Sequence, residues 1–549
     1  MGCDMTNMQY EKELKFDGAT DVELPSLEGL PGVAAVAAAA PEDLDAVYYD
    51  TSDLRLLAHG ITLRRRTGGH DAGWHLKLPT GALDTRLELH HPLDPPPLDP
   101  PPADHDSPAP PAELALRVRA YVRDAPLGPV VDLRTHRRRT LLLDRKQRPL
   151  VEVARDAVTA RRTGEDAAAA WTEVEAELLR GDPALLDAVE QRLTRGGLRR
   201  SASPSKLARA LSTAEARTPP PSPAPIAGPA ADQAADPAPD PAADPAAGPI
   251  GAAVTALLRA QVAELLALDH RVRTDQPDAV HRMRVTVRRL RSALKTHRAL
   301  FRTAAGPGLA GLGAELRRFA AVLGTARDRE VLGAALTAEI ERLTPEECPG
   351  PVRERVTTWA GARYHESWTG VVAELDSADY FALLDALERL AAEPPLRRRA
   401  AARPAGPAFE QRLAAEQRRV RRLLAAAAGV EPGPERDTAL HGTRKAAKRA
   451  RYAGEGARPV LGGSAQRFAR RMTSVQELLG ARQDAVLACR ELPRLAAEAQ
   501  AAGEPGFGYG VLYAGRRAVV QRCDAELTER LPALLAELGP ASALRPAAE

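Results

Sequence analysis

Two acids and a lysine stand at every second position of residues 11–15, and this alternation constrains the fold more than any other feature of the chain. A β-strand directs every second side chain to the same face, so this segment would place Glu11, Glu13 and Lys15 on one face. About 160 residues later a second strand face carries three acids in the same alternation, Glu173, Glu175 and Glu177. Two acidic strand faces in one domain repel each other unless divalent cations or basic groups lie between them. The pattern therefore predicts a metal site.

The length predicts more than one domain, because the chain has 549 residues and a single core rarely exceeds roughly 250–300 residues. With 27% charged residues and a net charge of +3, local clusters of Arg and Lys say more about partners than the total charge does. The four cysteines form no CxxC pair, which argues against a disulfide framework and a zinc site. The N-terminus lacks the charged-then-apolar pattern of a signal peptide, and no apolar stretch approaches the ~18–20 residues of a membrane span. We therefore expect a cytoplasmic protein without a membrane partner.

Residues 218–250 consist almost entirely of Pro, Ala, Asp and Gly, which is typical of an extended linker. The predicted organisation is a first domain at 8–212, a linker at 213–250 and a second domain at 251–539. Several runs of period two in the first domain predict an antiparallel sheet or barrel, with a Pro-rich surface loop at 95–111. Helices are expected near 112–123 and 183–196.

The strands of the first domain carry charges that an ordinary core would exclude. If they close into a barrel, the inward residues are the acids Glu11, Glu13, Glu88, Glu152, Asp156, Glu173 and Glu175 and the bases Lys15, Arg64, Arg66, Lys77, Arg86, Arg137 and Lys206. Such an interior is costly unless it encloses water, metal ions and a polyanion. A phosphate chain fits, because Arg and Lys bind its oxygens while carboxylates hold Mg²⁺ or Mn²⁺ against it.

The first domain resembles the CYTH domain, the family of triphosphate tunnel metalloenzymes. The family's ExExK signature corresponds to Glu11, Glu13 and Lys15. Further similar segments follow in the family's order at 49–51, 63–66, 74–79, 86–88, 135–137, 151–156, 173–177 and 205–206. The resemblance covers nearly all of 8–212 and implies an eight-stranded antiparallel tunnel that binds triphosphates with a divalent metal.

The resemblance also implies roles for individual residues. The implied metal ligands are Glu11, Glu13, Asp156, Glu173 and Glu175. The implied phosphate-binding groups are Lys15, Arg64, Arg66, Lys77, Arg137 and Lys206. Arg86 is a further tunnel base, and Glu88 and Glu152 are further tunnel acids. Two positions stay open. Arg139 could replace Arg137, and Glu152 lies on the same strand face as Asp156.

The second domain is rich in Ala, Leu and Arg, has helical spacing and contains an internal repeat. The segment 281–291 matches 441–451, and each is followed some 40 residues later by a related segment, 323–328 and 479–484. This order predicts a duplicated all-α bundle, with repeats at about 251–400 and 405–539. A single helix is expected from His281 to Arg302, with eight Arg or Lys and no acid. Like charges at this spacing destabilise a helix, so the helix is expected to bind an anion.

This repeat resembles the CHAD domain, an α-helical module that often follows CYTH. The resemblance implies a pair of bundles with a basic cleft for inorganic polyphosphate. Most of the residues expected in the cleft share one helix face in each copy: His281, Arg284, Arg288, Arg291 and Lys295, then His441, Arg444, Lys448 and Arg451. Lys445 is added because it belongs to the motif that resembles CHAD. Nucleic acid is disfavoured, since few aromatic residues are interleaved with the bases.

Together these patterns predict an α+β multidomain protein in which the tunnel hydrolyses inorganic tripolyphosphate with Mg²⁺ or Mn²⁺ and the helical domain binds polyphosphate. It would lie in the cytoplasm, either free or at polyphosphate granules. Three alternatives stay open from the sequence: a thiamine triphosphatase, a class IV-type adenylate cyclase acting on ATP, and a polyphosphate-binding protein without catalysis.

Overall fold

The structure is a computed structural model that describes residues 7–18, 23–80, 84–93, 108–215, 245–431 and 433–539. Contacts divide the chain into two units, Met1–Ala234 and Ala235–Glu549, and each unit is described by itself. Most of the predicted linker at 213–250 and of the predicted loop at 95–111 lies outside the described residues.

The first unit combines strands with short helices. Its strands are β1 (Asn7–Gly18), β2 (Ala35–Ala38), β3 (Glu42–Asp50), β4 (Thr62–Thr67), β5 (Gly73–Pro79), β6 (Thr85–Pro92), β7 (Gly128–Leu143), β8 (Pro149–Arg162), β9 (Ala168–Leu178) and β10 (Arg199–Arg200). Its helices are α1 (Arg55–Ala58), α2 (Ala112–Val122), α3 (Pro183–Arg195) and α4 (Lys206–Glu215). The helices expected near 112–123 and 183–196 correspond to α2 and α3.

Eight of these strands close into an antiparallel barrel. They follow the order β1-β6-β5-β4-β3-β7-β8-β9, and β9 pairs with β1 again. Residues 7–12 of β1 pair with β6, whereas residues 13–18 pair with β9, so this one strand joins the two edges of the sheet. Strands β2 and β10 pair with β7 and β1 outside the ring. The predicted eight-stranded tunnel is confirmed.

The strand alternation separates an apolar outer surface from a charged interior. On the outside, α3 packs its leucines against Phe16 and Val174, and α2 packs against Leu63 and Leu76. Inside the barrel, Leu207 and other apolar residues of α4 pack on residues of β3, β7 and β8 that share the inward strand face. Helix α4 therefore covers one end of the interior and leaves the rest to charged side chains.

The second unit is helical, as predicted. Its helices are α5 (Ile250–Arg273), α6 (Ala279–Thr296), α7 (Gly306–Ile340), α8 (Gly350–Leu375), α9 (Ala378–Ala392), α10 (Arg398–Ala401), α11 (Ala405–Ala428), α12 (Pro434–Ala501) and α13 (Phe507–Glu537). Helix α12 is kinked at Gly462, whose φ of 52° and ψ of −126° are not helical.

The internal repeat is visible in this unit. Helix α5 begins after Pro249 and α11 begins after Pro404, and these two prolines form an antiparallel bridge. The helix expected to run from His281 to Arg302 ends instead at Thr296. The chain then makes a short 3₁₀ turn, and Phe301 bridges to Leu396, so the last two basic residues of the segment leave the helix.

One described helix, α5, is long and apolar enough to cross a membrane by length and composition, with a mean hydropathy of 1.5 over its best window. The prediction that the chain lacks an apolar stretch of this length is therefore wrong for α5. In the bundle, α5 buries Leu258, Val262 and Leu265. A core helix passes the same test, so its apolar composition alone is weak evidence for a membrane span.

Candidate functional site

The barrel interior brings most of the predicted tunnel residues around one polar cavity of about 80 Å³. Predicted residues that line it are Glu11, Glu13, Lys15, Arg64, Arg66, Lys77, Arg86, Glu88, Arg137, Glu175 and Lys206. Asp156 and Glu173 are buried beside it. Glu152 lies apart with Arg139, which contacts it at 3.6 Å.

Three predicted metal ligands from two neighbouring strands form one cluster. Asp156 on β8 and Glu173 and Glu175 on β9 offer carboxylate oxygens that all lie within 4.8 Å of one another. Lys206 contacts all three, at 3.0, 2.7 and 2.7 Å. Arg137 binds Asp156 through two hydrogen bonds of 2.8 and 2.6 Å. Although burial opposes the charged form, the three carboxylates raise the pKa of Lys206 well above its usual value.

The other two predicted metal ligands lie in a second acidic group that surrounds Lys77. Its ammonium nitrogen lies 2.5 Å from Glu11, 4.0 Å from Glu13 and 3.9 Å from Glu88. Burial, together with a hydrogen bond to Glu88, raises the pKa of Glu11 to about 8 despite Lys77. Burial also raises the pKa of Glu177 to about 7. Near neutral pH both raised pKa values reduce the negative charge on this side of the cavity.

Arginines from β4 and β7 form a basic group in the same cavity. Burial, reinforced by Arg64 and Arg137 nearby, lowers the pKa of Arg66 to about 9. The Nε atoms of Arg64 and Arg66 are buried without a hydrogen-bond partner, although Arg64 donates to the Tyr48 hydroxyl at 3.3 Å and Arg66 pairs with Asp71. A buried donor without an acceptor is costly. The oxygens of an anion would satisfy both arginines.

The two positions left open by the sequence differ clearly in the structure. Arg137 lines the cavity, whereas Arg139 donates to Glu42 at 2.7 Å. Asp156 joins the carboxylate cluster, whereas Glu152 pairs with Arg139. The geometry therefore favours Arg137 and Asp156.

Sequence reasoning missed His75, which is 2% exposed. Its Nδ1 lies 2.8 Å from a carboxylate oxygen of Glu88, and its Nε2 lies 3.0 Å from the backbone oxygen of Asp71. Burial lowers the pKa of His75 to about 3 despite Glu88. The signal was present, since His75 precedes Lys77 by two residues and so shares its strand face. Tyr48, Asp71 and Glu177 also line the cavity without having been predicted as site residues.

The helical unit has a larger cavity of about 1410 Å³. Predicted residues that line it are Arg284, Arg288, Arg291, Lys295 and Lys445, and unpredicted basic residues are Arg298, Arg302, Arg317, Arg397, Arg419 and Arg449. No Asp or Glu is found among the described residues that line it. Several helices contribute, so packing rather than one helix face creates this basic surface.

Of the other predicted residues of the repeat, Arg444 and Lys448 lie outside this lining. Arg284 contacts Asp328 at 2.9 Å in the first copy, and Arg444 contacts Asp484 at 3.8 Å in the second. Burial, reinforced by three nearby arginines that include Arg284 and Arg444, lowers the pKa of Lys448 to about 7. These equivalent contacts support the duplication, and the lowered pKa shows how closely the cations are placed.

The remaining three predicted residues, His281, His441 and Arg451, also lie outside the lining but do not belong to the group of close cations. Burial lowers the pKa of His281 and of His441, which favours the neutral form of both rings. Arg451 donates to Glu455 at 2.7 Å and to Gln476 at 3.0 Å. Its guanidinium is therefore already paired within the bundle.

Comparison with known proteins agrees with both halves of this description. The CYTH domain model matches residues 9–211, and the CHAD domain model matches residues 256–493. An uncharacterized protein of Mycobacterium tuberculosis, found in two strains, is 37% identical over 543 residues, which cover 95% of each chain. The chain therefore belongs to the family of proteins that carry a CYTH domain followed by a CHAD domain.

Solved structures with similar folds are more distant. PptA from Streptomyces chartreusis is 21% identical, with a TM-score of 0.43, and covers 52% of this chain and 99% of that chain. The CHAD domain from the plant Ricinus communis is 24% identical, with a TM-score of 0.36, and covers 55% of this chain and 94% of that chain. With these TM-scores, the likeness supports no conclusion about activity.

Proposed function

We propose that the tunnel hydrolyses a triphosphate with a divalent metal ion and that inorganic tripolyphosphate is its substrate. Proteins of the CYTH family act as triphosphatases or adenylate cyclases, which supports an enzyme in general terms. The observation that carries the proposal is the buried pair Arg64 and Arg66, whose Nε donors lack acceptors in a cavity that also contains carboxylates. A triphosphate supplies oxygens for the arginines and shares a metal ion with the carboxylates.

The donor set of the carboxylate cluster fits Mg²⁺ or Mn²⁺. Asp156, Glu173 and Glu175 would hold the ion through hard oxygen ligands, with Glu11 and Glu13 as the further predicted ligands. When bound, such an ion would neutralise phosphate charge and supply an activated water.

The side chains of the chain itself bind and orient the substrate. Arg64, Arg66 and Arg137 donate N–H groups to the phosphate oxygens and stabilise the charge that develops in the transition state. Lys15 and Lys77 add positive charge in the same cavity.

The lining of the cavity favours an inorganic substrate over a nucleotide or thiamine triphosphate. Among its described lining residues the aromatic side chain is Tyr48, whose hydroxyl already accepts a hydrogen bond from Arg64. Recognition of a base or thiazolium ring usually requires an apolar or aromatic platform. The cavity instead offers groups that bind phosphate.

We further propose that the helical domain binds inorganic polyphosphate. Its cavity combines many basic residues with no acid among the described lining residues. A flexible polyanion can contact bases that several helices contribute, and it requires no stacking on aromatic rings.

Phosphate release from tripolyphosphate tests the enzymatic proposal. The purified full chain is assayed with Mg²⁺ and with Mn²⁺, beside Glu11→Gln/Glu13→Gln. The matched control is Asp43→Asn/Asp45→Asn, since these acids also alternate on one strand but have side chains that are 87% and 67% exposed. We expect metal-dependent release that is lost only in the tunnel variant.

Other outcomes would change the assignment. Hydrolysis of thiamine triphosphate or ATP without hydrolysis of tripolyphosphate would replace the substrate, and cyclic AMP formation would indicate a cyclase. Tight polyphosphate binding without turnover under either metal would indicate a binding protein.

A further inference from the structure

The ammonium group of Lys206 lies among the three carboxylates that form the candidate metal cluster. Its nitrogen contacts Asp156 at 3.0 Å and Glu173 and Glu175 at 2.7 Å each. Those carboxylates also have oxygens within 4.8 Å of one another, as a shared cation requires. Lys206 is 7% exposed, so its contacts are shielded from solvent. One set of oxygens is therefore available to two different cations.

The charge of the cluster is already balanced without a metal ion. Lys206 and Arg137 pair with these carboxylates, and Lys15 lies 2.5 Å from Glu175. Lys15 is shared with Glu13 at 3.2 Å, and Arg209, which lies 3.8 Å from Glu173, is shared with Asp17. Cationic side chains therefore already offset most of the carboxylate charge. Adding a divalent ion leaves an excess of positive charge unless one cation leaves the cluster or an anion arrives.

The position of Lys206 in the fold suits it for such an exchange. It is the first residue of α4, whose start is fixed by a hydrogen bond from the backbone N–H of Ala208 to the Ser205 hydroxyl, at 3.1 Å. Leu207 and Leu211 anchor the helix in the apolar end of the barrel. Since a lysine side chain has four rotatable bonds, the ammonium can move while the helix stays in place. Lys206 also lines the cavity in which the substrate would bind.

We propose that Lys206 is an internal cation that competes with the metal ion for Asp156, Glu173 and Glu175 and moves to the substrate phosphate when the metal ion binds. This inference rests on the triphosphatase function proposed above. Metal ion and triphosphate then bind with positive coupling, because each relieves a charge imbalance that the other creates. Coupling between two bound ligands is reciprocal.

The first test is Mn²⁺ binding without substrate, measured by calorimetry and by electron paramagnetic resonance of free Mn²⁺. We expect Lys206→Met and Lys206→Gln to bind Mn²⁺ about tenfold more tightly than wild type, because the competing charge is gone. Lys206→Arg retains the charge and is expected to bind like wild type. The two neutral variants differ in polarity, so the test survives if one of them does not fold.

The matched control is Arg139→Met, which removes a cation that contacts Glu42 at 2.7 Å and Glu152 at 3.6 Å rather than any predicted metal ligand. We expect it to change Mn²⁺ affinity by less than about threefold. Equal tightening in this control would overturn the proposal, since it would indicate a general effect of tunnel charge. Unchanged Mn²⁺ affinity in the neutral Lys206 variants would overturn it as well.

The second test repeats the titration with a tripolyphosphate analogue whose bridging oxygens are replaced by methylene groups. In wild type we expect the analogue to tighten Mn²⁺ binding by about tenfold, and in Lys206→Met by clearly less. Equal tightening in both proteins would contradict the transfer of the ammonium. No step requires turnover, so a protein that fails to hydrolyse tripolyphosphate would refute the proposed function without affecting these measurements.

Discussion

The tunnel and the helical cavity both concentrate charge, but they balance it differently. In the tunnel, basic side chains lie against acids, as Lys206 does with Glu173 and Arg137 does with Asp156. In the helical cavity, basic residues from several helices lie together, with no acid among the described lining residues. A balanced interior admits a polyanion only with added positive charge, whereas an unbalanced one attracts it directly. We therefore expect the tunnel to depend on a metal ion and the helical cavity to be independent of it.

The secondary structure explains this difference. In an antiparallel barrel, neighbouring strands place residues opposite each other, so Lys15 pairs in register with Glu175 and Arg137 with Asp156. On a helix, residues at i, i+3 and i+7 share a face, which places Arg284, Arg288 and their neighbours together. Cross-strand register thus places some opposite charges directly beside each other, although it also sets Asp156 opposite Glu173. The helical period instead collects like charges.

The largest expected effect concerns the arginines with unpartnered donors. We expect Arg64→Ala/Arg66→Ala to lower kcat/KM for tripolyphosphate by about 1000-fold, since two charge-assisted contacts to the transition state are lost. Polyphosphate binding by the full chain should change little, because the helical cavity is intact. Steady-state phosphate release and a polyphosphate titration measure the two effects. Equal losses in both assays would remove the distinction between the two regions.

The second prediction concerns stability. We expect Arg137→Met to destabilise the tunnel domain by about 3 kcal/mol, because buried Asp156 loses a partner that binds it through two hydrogen bonds and keeps only Lys206. Asp156 has no exposed side-chain surface. In contrast, Lys448→Met removes a cation from a group of cations and should leave the helical domain at least as stable. Denaturant unfolding of both variants measures this. An Arg137→Met protein as stable as wild type would contradict the view that acids in the tunnel depend on basic side chains for charge balance.

The third prediction concerns polyphosphate affinity. We expect Arg288→Ala/Arg291→Ala to weaken polyphosphate binding by about tenfold or more and to reduce its salt dependence, since fewer phosphates are neutralised. The matched control is Arg494→Ala/Arg530→Ala, which removes the same charge from arginines paired with nearby glutamates on their own helices. Equal weakening in both variants would mean that overall charge, rather than this cavity, binds the polyanion.

The smallest expected effect concerns pH. Lys448, with a pKa of about 7, faces Arg284, Arg288 and Arg444, with Asp484 as its acidic neighbour. It loses its proton as the pH rises through about 7, so positive charge beside the cavity decreases. We expect polyphosphate affinity to fall by about three- to tenfold between pH 6 and pH 8. Binding isotherms at both pH values measure this, and an unchanged slope in Lys448→Met would show that another group is responsible.

The tunnel was largely predictable because the strand period of two specifies faces directly. Glu11, Glu13 and Lys15 lie on the inward face, as the alternation requires, and Arg64 and Arg66 line the same cavity. What the sequence could not show was the pairing across strands. The contacts of Lys206 with three carboxylates arise only when the barrel closes and α4 covers its end.

The helical cavity was less predictable. The repeat indicated Arg284 and Arg288 because they share one helix face, and both line the cavity. Arg317 and Arg419 belong to α7 and α11, and no spacing within one segment relates them to α6. Their contribution depends on packing between helices that are distant in sequence. Arg451 fits the predicted face but pairs with Glu455 instead.

The most direct test of the difference between the two regions titrates free Mg²⁺ against EDTA with the full chain. Phosphate release from tripolyphosphate is followed while a fluorescent long-chain polyphosphate reports binding in the same sample. We expect release to disappear in EDTA while the labelled polyphosphate stays bound. Undiminished release in EDTA, or loss of polyphosphate binding when the metal is removed, would contradict the proposal that only the tunnel requires a metal ion.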